Sequence, residues 1–132
     1  MPTANLIVIR LCGEFLFDSG QADVKTGFAP VAADIARYLN DTSGPIKVIG
    51  HTDSTPIKTV RFPSNQVLSK ERANSVASVI KRLMQQPNRV ETEGRGPDVP
   101  VAPNATSEGR AKNRRVEVTV ARQGPAEAAA PR

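Results

Sequence analysis

Ile46-Lys47-Val48-Ile49-Gly50-His51-Thr52-Asp53, read with the later Asn65-Gln66-Val67-Leu68-Ser69-Lys70-Glu71-Arg72-Ala73, organises the whole chain. The first segment is a short apolar strand, running from Pro45 to Gly50 with Ile46 and Val48 on one face, and a carboxylate follows it. The second opens a helix with a guanidinium in its first turn. Ser69 reads as the N-cap, because its hydroxyl can accept from the free N–H groups there. The third helical position would then favour Glu or Gln, which closes a capping box, yet it is Arg72. A cation at the positive end of a helix costs roughly 0.3–1 kcal/mol, and breaks in local consistency gather at functional sites. Asp53 and Arg72 are therefore read as facing each other across a shallow cleft, where they hold a ligand bearing both an ammonium and a carboxylate. The competing reading is that Arg72 pairs with a nearby acid and only fixes the helix.

Outward from this unit, Leu6 to Leu11 is apolar and β-branched, as in a strand covered on both faces. Phe15-Leu16-Phe17 continues or restarts it, and Asp18-Ser19-Gly20 ends it in a turn. Phe28, Val31, Ala32, Ile35, Ala36 and Leu39 recur at helical spacing, with Thr26 as cap and Pro30 early enough to be tolerated. Thr52 to Val67 holds Pro56 and Pro63, shows no period, and reads as a loop. Ser69 to Gln86 carries the stripe Ala73, Val76, Ala77, Ile80, Leu83 and Met84, and Pro87 stops it. Arg89 to Glu93 is a third strand. Gly94 to Asn104 is a Gly/Pro-rich loop, and Thr106 caps a helical turn through Ala111. Arg115 to Ala121 alternates, with Val116, Val118 and Val120 opposite Arg115, Glu117 and Thr119. The expected fold is α+β: a mixed four-stranded sheet in the order β-α-β-α-β-β, with two long helices packed on one face. Residues 1–121 form one domain, and 122–132 are expected to be a disordered tail with nothing to bury.

Composition narrows the function. The 132 residues suffice for one core, built without tryptophan. No apolar run approaches the roughly 20 residues that span a bilayer, and residues 1–5 carry no basic cluster typical of a leader. Work outside the cytoplasm would therefore depend on an upstream segment absent from this sequence. Cys12 is the only cysteine and His51 the only histidine, which argues against both an internal disulfide and a zinc site; no cofactor is expected. Cys12 reads as a buried, inert thiol, and His51 as hydrogen-bonded at the strand end. The net charge of +5 permits an anionic partner without choosing one. Tyr38 and four Phe offer little base stacking, so nucleic acid is disfavoured.

Gly50-His51-Thr52-Asp53, Asn65-x-x-Leu68-Ser69-x-x-Arg72-Ala73 and Gly109-Arg110-Ala111-x-Asn113-Arg114-Arg115-Val116-Glu117, in that order, resemble the OmpA-like C-terminal domain. This is the peptidoglycan-binding module of outer-membrane porins, the Pal lipoprotein and the flagellar stator protein MotB. The resemblance runs from about Leu6 to Val120. A narrower likeness, to the extension domain of the type VI secretion protein TssL, rests on Gly13 to Gly20, Thr55-Pro56-Ile57, Arg61 to Asn65, Glu93 to Gly96 and Pro100 to Asn104. It implies a periplasmic domain of an inner-membrane-anchored protein, with other type VI secretion membrane-complex subunits as partners.

The resemblance also implies a non-catalytic site in which Asp53 and Arg72 bind the diaminopimelate of the peptidoglycan stem peptide. Thr52, Arg114 and Asp18 match further ligand-contacting positions. Chemistry agrees for the central pair, since a carboxylate takes an ammonium and a planar guanidinium takes a carboxylate with two parallel bonds. A helix N-terminus beside Arg72 would add to the anion site. Structural roles compete for two of these residues: Arg114 as a brace of the last loop, and Asp18 as a turn former. Asn65 and Asn113 read as loop braces, and Arg110, Lys112 and Arg115 as a solvated basic rim. Two other functions stay open. A hydrolase could use His51 with Asp53, whose side chains would share one face of an extended strand, although no nucleophile elbow or metal set accompanies them. Alternatively, this is a structural or oligomerising domain whose site is unused, with Ser54 to Ser64 covering the cleft.

Overall fold

The computed structural model describes residues 6–122; the tail expected over 122–132 lies outside them apart from Arg122. Strand β1 (Leu6–Cys12) leads through a one-turn helix α1 (Gly13–Leu16) and a loop into α2 (Phe28–Asn40). Strand β2 (Ile46–His51), helix α3 (Asn65–Lys81), strand β3 (Val90–Gly94), the short helix α4 (Ser107–Asn113) and strand β4 (Arg115–Ala121) follow. The sheet order is β1-β4-β2-β3. β2 and β3 pair in parallel, and β4 runs antiparallel to both β1 and β2. The three strands that precede the last one therefore share a direction, and β4 inserts between two of them. This is the mixed four-stranded α+β sheet expected from the sequence.

One face of the sheet carries the core. Val48 and Ile46 of β2 and Val116, Val118 and Val120 of β4 meet Phe28, Ala32, Ile35 and Leu39 of α2 and Ala73, Val76, Ala77 and Ile80 of α3. The alternation in β4 places its three valines inward, as the period of two requires. A satellite cluster of Ala22, Phe62 and Leu68, with Ile57 against it, pins the long loop after β2 onto the start of α3. That loop is thus a fixed wall packed on its own apolar residues.

Two glycines set how closely α3 approaches the sheet. A Cβ on Gly50 would overlap the backbone carbonyl of Ser69, and one on Gly94 would lie 2.5 Å from the backbone nitrogen of Lys70. Only glycine allows that approach, which brings α3, and with it Arg72, down onto the end of β2.

Several sequence expectations are corrected. α3 starts at Asn65: its N-cap is Ser64, whose hydroxyl accepts from the Val67 N–H at 3.2 Å. Ser69 lies inside the helix, donating to the Gln66 carbonyl and accepting from the Gly96 N–H at 2.9 Å each. Arg72 therefore sits about two turns in, and the argument from the helix N-terminus does not apply to it. α3 also ends at Lys81, because Leu83 and Met84 bond back to Ile80 and Lys81 in tight i→i+3 turns, and Leu83 is exposed. Phe15-Leu16-Phe17 is not strand. Gly13 donates to the Arg114 carbonyl at 2.8 Å and Phe17 back to Gly13, and this turn buries Leu16 and Phe17. β1 is an edge strand with one open face, so Leu6, Val8 and Cys12 are exposed. α2 begins after Gly27 with no side-chain cap from Thr26.

Candidate functional site

The ends of four elements meet at one cavity of about 470 Å³. Its walls are the α1 turn with Phe17 to Gly20, the segment Thr52 to Ile57 after β2, the start of α3, and the end of α4. Asp53, Arg72, Arg114, Asp18 and Thr52 all line it, together with Glu14 and Arg110.

Arg72 is held on three sides. Its Nε donates to the Gln21 carbonyl at 2.7 Å, and Nη2 to the Asp18 carbonyl at 3.5 Å. Its guanidinium carbon lies 4.7 Å from the centre of the Phe17 ring, a cation–π stack. Nη1 has no protein partner among the described residues. The side chain is buried, and burial first, then the neighbouring Arg114, lower its pKa to about 10, while Asp53 opposes the shift. It keeps its charge throughout the neutral range.

Asp53 is equally buried, and both its oxygens are engaged. Oδ1 accepts from the Thr55 N–H at 2.9 Å, and Oδ2 from Arg114 Nη1 at 2.6 Å. Arg114 also donates through Nη2 to Glu14 Oε2 at 3.0 Å. Burial works against the Arg114 charge, but the hydrogen bonds to Asp53 and Glu14 outweigh it and raise the pKa. The cation on Asp53 is thus Arg114, and no direct ion pair joins Asp53 to Arg72 among the described residues. Each Asp53 oxygen retains a lone pair for a further donor. Thr52 is buried; it donates from its N–H to the Gly96 carbonyl at 2.9 Å and from its hydroxyl to the Asp53 carbonyl at 2.8 Å, which fixes the backbone that carries Asp53. Asp18 contributes its carbonyl to Arg72, while its exposed carboxylate stands 3.8 Å from Lys25.

Asn65 donates to the Thr55 carbonyl. Asn113, fully buried, binds the backbone of Val101 and Ala102 and the side chain of Asn104. Both brace loops. The basic rim divides: Lys112 is exposed and Arg110 enters the cavity. Arg115 is buried on the opposite face of the sheet, donating to Glu117 at 2.6 Å and to the Val99 and Asn113 carbonyls. Alternation placed Arg115 on the far face, but loop residues around Val99 cover that face locally. Glu14 was missed, because nothing in the spacing of Gly13-Glu14-Phe15 announces a turn that aims it at Arg114.

His51 and Asp53 form no dyad. β2 ends at His51, so the alternation that would align them stops there. His51 lies on the open-face side beside Glu117, 3.9 Å away. It is buried, and neither ring nitrogen has a hydrogen-bond partner. Burial first, then the Arg115 charge, lower its pKa to about 4, against the opposing pull of Glu117.

Comparison with known proteins matches residues 16–114 to the OmpA family. The chain is 37% identical over 115 residues to the probable lipoprotein YiaD of Escherichia coli (strain K12), covering 86% of this chain and 51% of that protein. It is 38% identical over 127 residues to motility protein B of Bacillus subtilis (strain 168), covering 95% and 49%. It therefore spans about half the length of these curated relatives. Among solved structures it resembles the cell wall anchor of the T6SS from Pseudomonas aeruginosa. Identity there is 42% and the TM-score 0.83, with 89% of this chain and 82% of that chain covered. A putative MotB-like protein from Desulfovibrio vulgaris superimposes with a TM-score of 0.82 at 29% identity, covering 90% and 77%.

Proposed function

This chain belongs to the OmpA family, and from that premise we propose that its cavity is a peptidoglycan-binding site that grips the diaminopimelate of the stem peptide. The family and its motility and cell-wall-anchor relatives make it a structural or binding module, not an enzyme. The observation that carries the reading is one cavity that contains both a carboxylate, Asp53, and a pre-set guanidinium, Arg72. The free end of diaminopimelate presents an ammonium and a carboxylate on one carbon. Asp53 accepts from the ammonium through its remaining lone pairs, and Arg72 donates to the carboxylate from Nη1 and Nη2. Fixing Arg72 on two backbone carbonyls and a phenyl ring removes much of the ordering cost of binding.

Likeness to the T6SS cell wall anchor supports a narrower role: a domain of the periplasm that ties a type VI secretion membrane complex to the wall. No helix among the described residues is long and apolar enough to cross a membrane, so membrane attachment would come from another segment or subunit. One observation favours a second reading, a structural domain with an unused site: Arg114 already occupies Asp53.

Co-sedimentation with purified sacculi separates the two. Wild-type protein should pellet with sacculi at moderate salt, and Asp53→Asn and Arg72→Ala should remain in the supernatant. Equal retention of all three proteins would remove the binding reading, and retention that disappears with salt in all three would reduce it to nonspecific charge.

A further inference from the structure

The charges that line the cavity are equal in number but unevenly paired. Three guanidiniums enter it, from Arg72, Arg110 and Arg114, with three carboxylates, from Glu14, Asp18 and Asp53. Arg114 is bound to two of those carboxylates at once. The third, on Asp18, is exposed and turned toward Lys25. Neither Arg72 nor Arg110 has an ion-pair partner among the described residues. A ligand head with one ammonium and one carboxylate satisfies Asp53 and Arg72, and leaves Arg110 facing the cavity without an anion.

Arg110 is positioned rather than loose. It is half-buried, and its Nη1 donates to the Asn104 carbonyl at 2.9 Å. α4 beneath it is capped by Thr106, which accepts from the Gly109 N–H at 2.9 Å, and is clamped at its other end by Asn113. Arg110 and Arg114 are four residues apart and so share one side of the helical turn, which carries both into the same space. With one bond to the loop made, the fork retains donors for a planar anion.

We propose that Arg110 is a specificity residue that binds a second carboxylate on the same peptide, one borne by the stem residue adjoining the diaminopimelate. This rests on the peptidoglycan reading above and narrows it. Conversion of that carboxylate to a carboxamide would offer a neutral acceptor in place of an anion, so the site would discriminate between the acid and amide forms of the peptide.

The test uses two soluble muropeptides that end in diaminopimelate and differ only in that group, acid or amide, titrated against the whole chain. Wild type should bind the acid roughly tenfold more tightly, the weight of one charge-assisted hydrogen bond. Arg110→Gln should bind both at the amide's level, and Arg110→Lys should restore part of the preference. A residue that only braced the Asn104 loop would lower both affinities together and keep their ratio. Equal wild-type binding of acid and amide, or an Arg110→Gln variant that keeps the preference, overturns the proposal. The two readings fail separately: loss of all binding in Asp53→Asn with no acid preference leaves peptidoglycan binding standing and removes only the role of Arg110, whereas undiminished binding in Asp53→Asn removes both.

Discussion

Arg114 and Asp53 are joined by a 2.6 Å charge-assisted hydrogen bond that ties the end of α4 to the loop after β2. Nothing in the spacing of the two residues, sixty-one positions apart, foretold that this arginine, and not Arg72, would hold the carboxylate. The bond makes the acid at the centre of the cavity half of a pair, so stability and binding are coupled there.

Arg114→Ala leaves the buried Asp53 carboxylate with only the Thr55 N–H. The expected loss is about 1–3 kcal/mol, below the value for a fully buried pair because Arg114 is partly exposed. Urea denaturation at neutral pH measures it. The double variant Arg114→Ala/Asp53→Asn should recover part of that loss, and strict additivity of the two changes would show that the pair is not coupled.

Arg72→Lys keeps a cation but loses the Nε bond to Gln21 and the planar stack on Phe17. Affinity for a diaminopimelate-containing muropeptide should drop by about 1.5–3 kcal/mol, tenfold to a hundredfold. Calorimetric titration reads it, and wild-type affinity in the lysine variant would refute the two-bond grip.

His51 makes the fold acid-sensitive. Its pKa is about 4 when folded and about 6.5 in an unfolded chain. Above 6.5 it is neutral in both states. Between 6.5 and 4 the unfolded chain takes up a proton that the folded one refuses, so stability falls with pH by up to about 3 kcal/mol across that window. Glu93 and Glu117, both held below the usual carboxylate range, begin to add to the loss only once pH has fallen into that range. The groups around His51 are Arg115, Glu117, Arg95 and Glu93. Thermal melts from pH 7 to pH 4 should show the loss, and His51→Met should flatten it while costing little at pH 7, where the ring nitrogens have no partners to lose.

Gly50→Ala should be costly although it adds one methyl group. The new Cβ would meet the carbonyl of Ser69, so α3 must shift off β2, at about 1–3 kcal/mol or more. Because α3 carries Arg72, sacculus binding should weaken in the same variant even where it remains folded. A variant with native melting and native binding would show that the close approach matters less than the packing implies.

Much of this was legible in the sequence. The clean alternation of Arg115 to Ala121 gave a strand with three inward valines, and the apolar period of Ala73 to Ile80 gave α3. Motif residues from four separate segments lie around one cavity. What escaped has physical causes. Ser64 and Ser69 are both capable N-caps, and Asn65-Gln66-Val67 has no apolar period to show which one the helix uses. Pattern alone therefore starts the helix too late and puts Arg72 in its first turn, whereas it lies about two turns in. Alternation reports only which face Arg115 is on, and the loop around Val99 that buries it there leaves no mark on the strand's own pattern. Phe15-Leu16-Phe17 suits a strand by residue type, but the contact of Gly13 with the Arg114 carbonyl turns the chain there.

The last strand among the described residues is an interior one: β4 lies between β1 and β2, and among those residues it is the only strand that pairs with β1. A ribosome or a translocation pore delivers the polypeptide amino end first, so Leu6 to Cys12 waits without a hydrogen-bonding mate until Arg115 to Ala121 has emerged. Any product truncated before Arg115 keeps the cavity residues up to Arg114 and the parallel β2–β3 pair, yet nothing joins β1 and its α1 turn to that pair, and quality-control proteases should remove it.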